Sequence, residues 1–304
     1  MKVLVTGGAG FIGSHLVEHF QGNAEVRVLD NLRSGFQHNL AGFQCELLVG
    51  SILDRDLLRR AMREVDYVFH LAAMISVPES MQKPVECNEL NTTGTLMVLE
   101  AAAQAGVKKL VFSSSAAIYG DNPAVPKLES MAPEPKSPYA ITKLDGEYYC
   151  QMFTAEGRLP TTCLRYFNVF GPRQNPRSQY AAAVPIFIHQ ALRHELMTIY
   201  GDGEQTRDFI YVADIVAANA YFAMQSPATG VFNVANGHGT SINDLAAMIG
   251  RLTGSRSEIS HAPDRPGDVK HSLASIGKLR AAGFVPAGNF NPGLHATMEF
   301  FKQP

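Results

Sequence analysis

Short apolar runs alternate with stretches of helical period through the first half of the chain. Residues 2–6 form a β-branched run that meets a cluster of glycines, and the helical pattern of His15, Leu16, His19 and Phe20 follows. Further runs at 25–29, 45–49, 66–69, 109–112 and 161–166 read as strands. Helical segments separate them, including a long one at 84–105. Strands alternating with helices at this spacing predict a parallel sheet covered on both faces, with ligands outside the carboxyl ends of its strands. After residue 166 the alternation stops. Gly171, Pro172, Arg173 and Pro176 mark the change to a more irregular region, with helices expected around 212–224, 242–252 and 291–302. The fold class predicted is therefore α/β. A doubly wound parallel sheet domain spans 1–166, and a smaller α/β substrate domain spans 167–304, with segments packing back on the first.

Composition narrows the function classes. With 304 residues, 46% apolar and 18% charged, the chain has the makeup of a soluble globular protein. A formal net charge of −2 gives no reason to expect nucleic acid or an anionic membrane as partner. The N-terminus runs straight into the glycine cluster, with neither a signal-peptide pattern nor an apolar span long enough to cross a bilayer, so a cytoplasmic location is expected. Cys45, Cys87, Cys150 and Cys163 lack C-x-x-C spacing, which favours reduced thiols and neither a disulfide nor a metal site.

The chemistry gathers where strands end. Gly7, Gly10 and Gly13 stand between the first strand and the first helix, where missing side chains let backbone approach a pyrophosphate. The second strand ends in Asp30, placed to accept the hydroxyls of an adenosine ribose and to repel a 2′-phosphate, so NAD is favoured over NADP. Arg33 works against that preference without reversing it. Small residues at Leu71-Ala72-Ala73 leave room for a cofactor, while His70 reads as a structural histidine. Ser113, Ser114 and Ser115 close the fifth strand, and residues 121–138 read as a loop over the site. Ser137 and Pro138 open a helix that projects Tyr139 and Lys143 from one face. A phenol with a reference pKa near 10 needs ~4 kcal/mol of differential stabilisation to drop by ~3 units, and a fixed cation can supply part of it. Arg207 and Arg265, both near turns, can clamp a diphosphate.

These motifs, together with Asp30-Asn31-Leu32 and the run from Arg165 to Pro176, resemble the extended short-chain dehydrogenase/reductase family over nearly the whole chain. Within it the sequence is similar to the UDP-hexose 4-epimerases, particularly the branch acting on N-acetylated sugars. The resemblance implies a Rossmann domain with NAD bound by Gly7, Gly10, Phe11, Ile12, Asp30, Asn31, Leu32, Ser34, Gly35, Ser51, Ile52, Leu71, Ala72, Ala73, Asn91, Ser113 and Phe167. It implies Tyr139 as the base, Lys143 as the residue that binds the nicotinamide ribose and lowers the Tyr139 pKa, and Ser115 as a partner of the sugar O4. Asn168, Ala182, Val184, Tyr200, Arg207, Arg265, Asp268 and Ser272 would bind the UDP-sugar. Ser51 stands where the family usually has an aspartate, and Ala274-Ser275 replaces Ala-Asp. Ala116 and Ala117 occupy positions where the related dehydratases and decarboxylases carry acidic residues. The family also implies a homodimer formed through helix 84–105 and the helix of Tyr139.

Overall fold

The computed structural model describes residues 1–176, 182–264 and 270–302. Strands β1 (Lys2–Thr6), β2 (Glu25–Asp30), β3 (Glu46–Val49), β4 (Tyr67–His70), β5 (Lys109–Ser115) and β6 (Thr161–Tyr166) lie parallel. The second half supplies β7 (Asn168–Phe170), β8 (Met197–Tyr200), β9 (Thr206–Tyr211) and β10 (Gly230–Val234). Strand β10 returns to pair with β6, so the large sheet has seven strands in the order β10-β6-β5-β4-β1-β2-β3. The order reverses between β1 and β4, and a crevice for a ligand opens at that point.

Successive residues of β1 face opposite layers, which explains the continuous apolar run. Val3 and Val5 join the side chains of α1 (Phe11–His19), whereas Leu4 joins those of α2 (Arg55–Ala61). After α3 (Val77–Gln82) come α4 (Pro84–Asn88), α5 (Gly94–Gln104) and α6 (Pro138–Ala155), of which α5 and α6 share the layer of α2. Helix α7 (Ala183–Leu192) lies in the smaller region, and α8 (Val212–Met224) packs back beside α1. Burial on both faces is what a parallel sheet requires.

One element departs from the expected pattern. The single helix predicted at 84–105 is broken by a π-helical turn over Glu89–Thr93, between α4 and α5. Such a turn accommodates an extra residue, which apolar periodicity alone does not reveal. The fifth strand also runs three residues past its apolar part, through Ser113, Ser114 and Ser115, because β6 continues to pair with it.

In the smaller region β9 pairs with β7, with β11 (Gly239–Ser241) and with β13 (His271–Ser272), while β8 pairs with β12 (Ile259–Ala262). Helices α7, α9 (Ile242–Thr253) and α11 (Phe290–Lys302) close a separate core around Phe187, Leu245 and Leu294. The short α10 (Gly277–Ala281) returns Leu279 to the layer of α1. All four cysteines are free. Among the described residues, no helix is long and apolar enough to cross a membrane.

Candidate active site

The glycine turn is fixed by close contacts. Gly7 has φ of 74°, and a Cβ there would stand 2.8 Å from the Ala72 amide nitrogen. At Gly13 a Cβ would stand 2.2 Å from the Gly7 carbonyl oxygen, so α1 can begin directly on the turn. No side chain caps that helix, which leaves its first N–H groups suited to an anion. Asp30 holds the turn from the side: its carboxylate accepts from Ala9 N at 2.9 Å and from Leu32 N at 2.8 Å. Burial pushes the Asp30 carboxyl up, and these two N–H groups oppose the rise. Asn39 fastens the turn again by donating from Nδ2 to the Ala9 carbonyl at 2.9 Å.

A cavity of about 190 Å³ runs over the switch point. It is lined by Gly7, Gly10, Phe11, Ile12, Asp30, Asn31, Ser34, Gly35, Ile52, Leu71, Ala72, Ala73, Ser113, Tyr139 and Lys143, all singled out in the sequence. Its wall offers glycine backbone and an uncapped helix for a diphosphate, a carboxylate for ribose hydroxyls and a buried ammonium. That set fits a dinucleotide such as NAD. Leu32, Ser51, Asn91, Ser115 and Phe167 are not among the described lining residues. Ser51 Oγ accepts from Leu53 N at 3.1 Å, and Phe167 is buried with its ring centroid 6.3 Å from that of Tyr119. Asn91, in the π-helical turn, bonds Met74 N at 2.7 Å, Met74 O at 3.1 Å and Thr142 Oγ1 at 3.1 Å, tying the segment after β4 to α6.

Helix α6 starts as its sequence implies. Pro138 occupies the first turn, and Ser137 Oγ accepts from Ala140 N at 3.2 Å. Lys143 Nζ donates to the Ser113 carbonyl at 2.7 Å and lies 5.8 Å from the centre of the Tyr139 ring. Burial lowers the Lys143 ammonium to about 8. The Tyr139 phenol is pushed up, first by burial, while its hydrogen bond with Ser115 works to lower it. Behind them Glu147, on the same helix, accepts from Ser114 Oγ at 2.5 Å and from both Nε and Nη2 of Arg165 at 2.8 and 2.7 Å. A buried carboxylate with three donors locks α6 to β5 and β6.

A second cavity, about 530 Å³, is lined by Asn168, Ala182, Val184, Tyr200 and Arg207. Ser272 stands opposite Arg207 in the register of β13 and β9. Arg265 and Asp268 lie outside the described residues. Next to Arg207, buried Asp208 accepts from the backbone N–H groups of Asn236, Gly237 and Ala274 at 2.9 to 3.2 Å. Burial raises its pKa to about 6 against the pull of those donors. The loop expected over the site is fastened beside Ser272. Lys127 N donates to Leu273 O at 2.7 Å and Ser275 N to Lys127 O at 2.9 Å, and no described residue of 121–137 lines either cavity.

The sequence from 3 to 235 matches the NAD dependent epimerase/dehydratase family. The chain belongs to that family. It is an enzyme of the epimerase type, and NAD is its cofactor. Among solved structures, a UDP-N-acetylglucosamine 4-epimerase from Methanobrevibacter ruminantium, in complex with UDP-N-acetylmuramic acid, is 42% identical with a TM-score of 0.95, covering 99% of this chain and 98% of that one. A UDP-glucose 4-epimerase from Thermus thermophilus, in complex with NAD, is 39% identical with a TM-score of 0.91, covering 100% and 99%. A UDP-N-acetyl-α-D-glucosaminuronate decarboxylase from Bacillus cytotoxicus is 34% identical over 99% of this chain and 98% of its own length. This epimerase/dehydratase family chain thus has relatives of more than one chemistry.

Sequence reasoning passed over several residues that hold this site. Tyr166 lines the first cavity and accepts from Ser113 Oγ at 3.1 Å, with its phenol pushed up to about 12 by burial. Glu147 had one available signal, an acidic residue on the helical face that carries Tyr139 and Lys143. Asn39 and Asp208 had none, since their partners are backbone groups distant in sequence.

Proposed function

We propose that this protein inverts C4 of UDP-hexoses through a transient 4-keto sugar. Its substrates in this reading are UDP-glucose with UDP-galactose and UDP-N-acetylglucosamine with UDP-N-acetylgalactosamine. The carrying observation is the makeup of the two cavity walls. Beside Tyr139 and Lys143, their described lining residues include one carboxylate, Asp30, which is engaged by the glycine turn. Elimination of water from C5 and C6 needs an acid and a base of its own, and so does managing a carboxylated sugar. Ala116 and Ala117 after Ser115 offer neither. The kinship with a decarboxylase is accommodated in this way: shared fold, different wall.

In this reading Tyr139 removes the proton of the 4-hydroxyl as C4 gives up hydride, and Ser115 bonds both the phenol and the sugar O4. NAD, when bound, contributes a positively charged ring and accepts and returns the hydride. Lys143 holds the cofactor ribose, and its ammonium adds to the positive field that a buried phenolate requires. Arg207 and Arg265 anchor the diphosphate so that the loosely held keto sugar can turn its other face before the hydride returns. Asn168 and Tyr200 bind the nucleotide, and small side chains at Ala182 and Ser272 leave room for an N-acetyl group.

Purified protein, given no added NAD, should convert UDP-galactose and UDP-N-acetylgalactosamine to their C4 epimers, as read by chromatography of the sugars. Stoichiometric NADH, or a dehydrated or decarboxylated product, would sink the reading. The same reading takes the protein as a cytoplasmic homodimer. Large apolar side chains on α4 and α6, among them Val85 at 79% exposure, Ile141, Tyr148 and Met152, support a covered face, and four free thiols suit a reducing compartment. Light scattering at micromolar concentration should give the mass of two chains.

A further inference from the structure

Arg33 follows β2 by three residues and lines the cofactor cavity with Asp30 and Ser34. Its guanidinium bonds two helices at once. Nη2 donates to Glu79 on α3 at 2.7 Å, and Nη1 donates to Glu86 on α4 at 2.5 Å. Lys83 stands 3.6 and 3.7 Å from the same two carboxylates, so two cations balance two anions. Among the described lining residues Arg33 and Lys143 are the cations, and Lys143 is fastened at the end of β5.

An arginine just past the second strand is the residue type that receives the 2′-phosphate of NADP, because paired N–H groups match phosphate oxygens. Here both outer nitrogens face carboxylates instead. A 2′-phosphate arriving beside Asp30 would meet a guanidinium already neutralised, with Glu79 and Glu86 adding negative charge behind it. We infer that Glu79 and Glu86 are cofactor-specificity residues: by holding Arg33 they withhold it from a 2′-phosphate and keep the chain on NAD.

Neither glutamate itself lines the cofactor cavity, so their action passes through Arg33. All three side chains are about a third to a half exposed, and pairs of that kind are individually weak, so the effect is graded rather than absolute. It rests on NAD as the cofactor with its adenosine ribose at Asp30, and is independent of which sugar reacts.

The test reads bound nucleotide. Wild type, Glu79→Gln/Glu86→Gln, and a triple variant that adds Arg33→Ala are each incubated with equal NAD and NADP until the bound ratio is constant. Free nucleotide is removed by gel filtration, and the bound fraction is released by acid and quantified. The NADP-to-NAD ratio should rise roughly tenfold in the double variant. It should fall back to the wild-type value in the triple variant. An unchanged ratio in the double variant overturns the inference. So does a rise that persists without Arg33, which would mean that removing negative charge helps any polyanion. Because no sugar is turned over, failure here leaves the C4 inversion standing, and failure of that reaction leaves this result intact.

Discussion

The cofactor cavity takes its walls from the carboxyl ends of β1, β2, β4 and β5, all neighbours in one sheet, whereas the second cavity collects Asn168, Ala182, Tyr200 and Arg207 from separate segments. The first inherits its geometry from strand pairing. Moving any of its turns would break a ladder with many hydrogen bonds, and Asp30 and Asn39 only trim a loop already placed. The second depends on fasteners. Short pairings join β9 to β11 and β13, and buried Asp208 reinforces them by tying β9 to the segments at 236–237 and 274. Damage to the first region should therefore be local to the group removed, while damage to the second should spread across the binding surface.

The largest effect should come from Tyr139→Phe, which removes the proton acceptor and leaves the ring. Turnover should fall by ~10²- to 10⁴-fold with NAD still bound, measured by initial rates and nucleotide content. Activity near wild type would remove Tyr139 from its role. Asp208→Asn is the sharper test of the contrast between regions. An amide in place of the carboxylate sets N–H against N–H, so the fold should lose ~1 to 3 kcal/mol in denaturant titrations. KM for the UDP-sugar should rise while NAD content holds; a loss of NAD as great as the loss of sugar binding would erase the distinction.

Next in size is Ser272→Tyr, expected to disfavour the N-acetylated pair by ~1 to 3 kcal/mol relative to the plain hexoses. Equal loss on both pairs in competition assays would contradict the pocket argument. Smallest is a pH effect confined to the sheet region. His70, between Thr6 Oγ1 at 2.7 Å and Thr95 Oγ1 at 2.9 Å, is lowered to about 3 by burial and by Lys143, and His15 to about 4 by burial and by Arg173. The unfolded chain binds protons below about pH 6.5 where the folded one does not. Their contribution is thus present above 6.5 and is lost as pH falls toward these values, by up to about 1.4 kcal/mol per histidine for each pH unit. His70→Asn should flatten that decline in denaturant titrations at pH 7.5 and 5.5; an unchanged slope would refute the assignment.

What could be read from the sequence follows the same division. Strand ends carry their chemistry in local motifs, so the glycine turn, Asp30 and the helix start at Ser137 were legible from residue type and spacing. The pairing of β10 back onto β6 was not, because its partner lies over sixty residues away in sequence and both strands read simply as apolar. Residues 121–137 look like any proline-rich loop, and only their bonds to 273–275 decide where they run. Charge at Glu147 and Asp208 is visible in the sequence, but burial is what gives it meaning, and burial is a property of packing.

The turn at Glu89–Thr93 gives the helix side chains that a regular helix would aim elsewhere. A π-helical turn closes its hydrogen bonds over one residue more than an α-helical turn, so it holds an extra residue without the rotation of about 100° that a residue adds in a regular helix. In this chain the widened turn itself presents Asn91 to Met74 and Thr142, and Thr92 Oγ1 to Asp145 at 3.0 Å. A descendant that lost the extra residue would regain a regular helix. It would also swing Asn91 away from Met74, and would need some other side chain to hold the segment that follows β4.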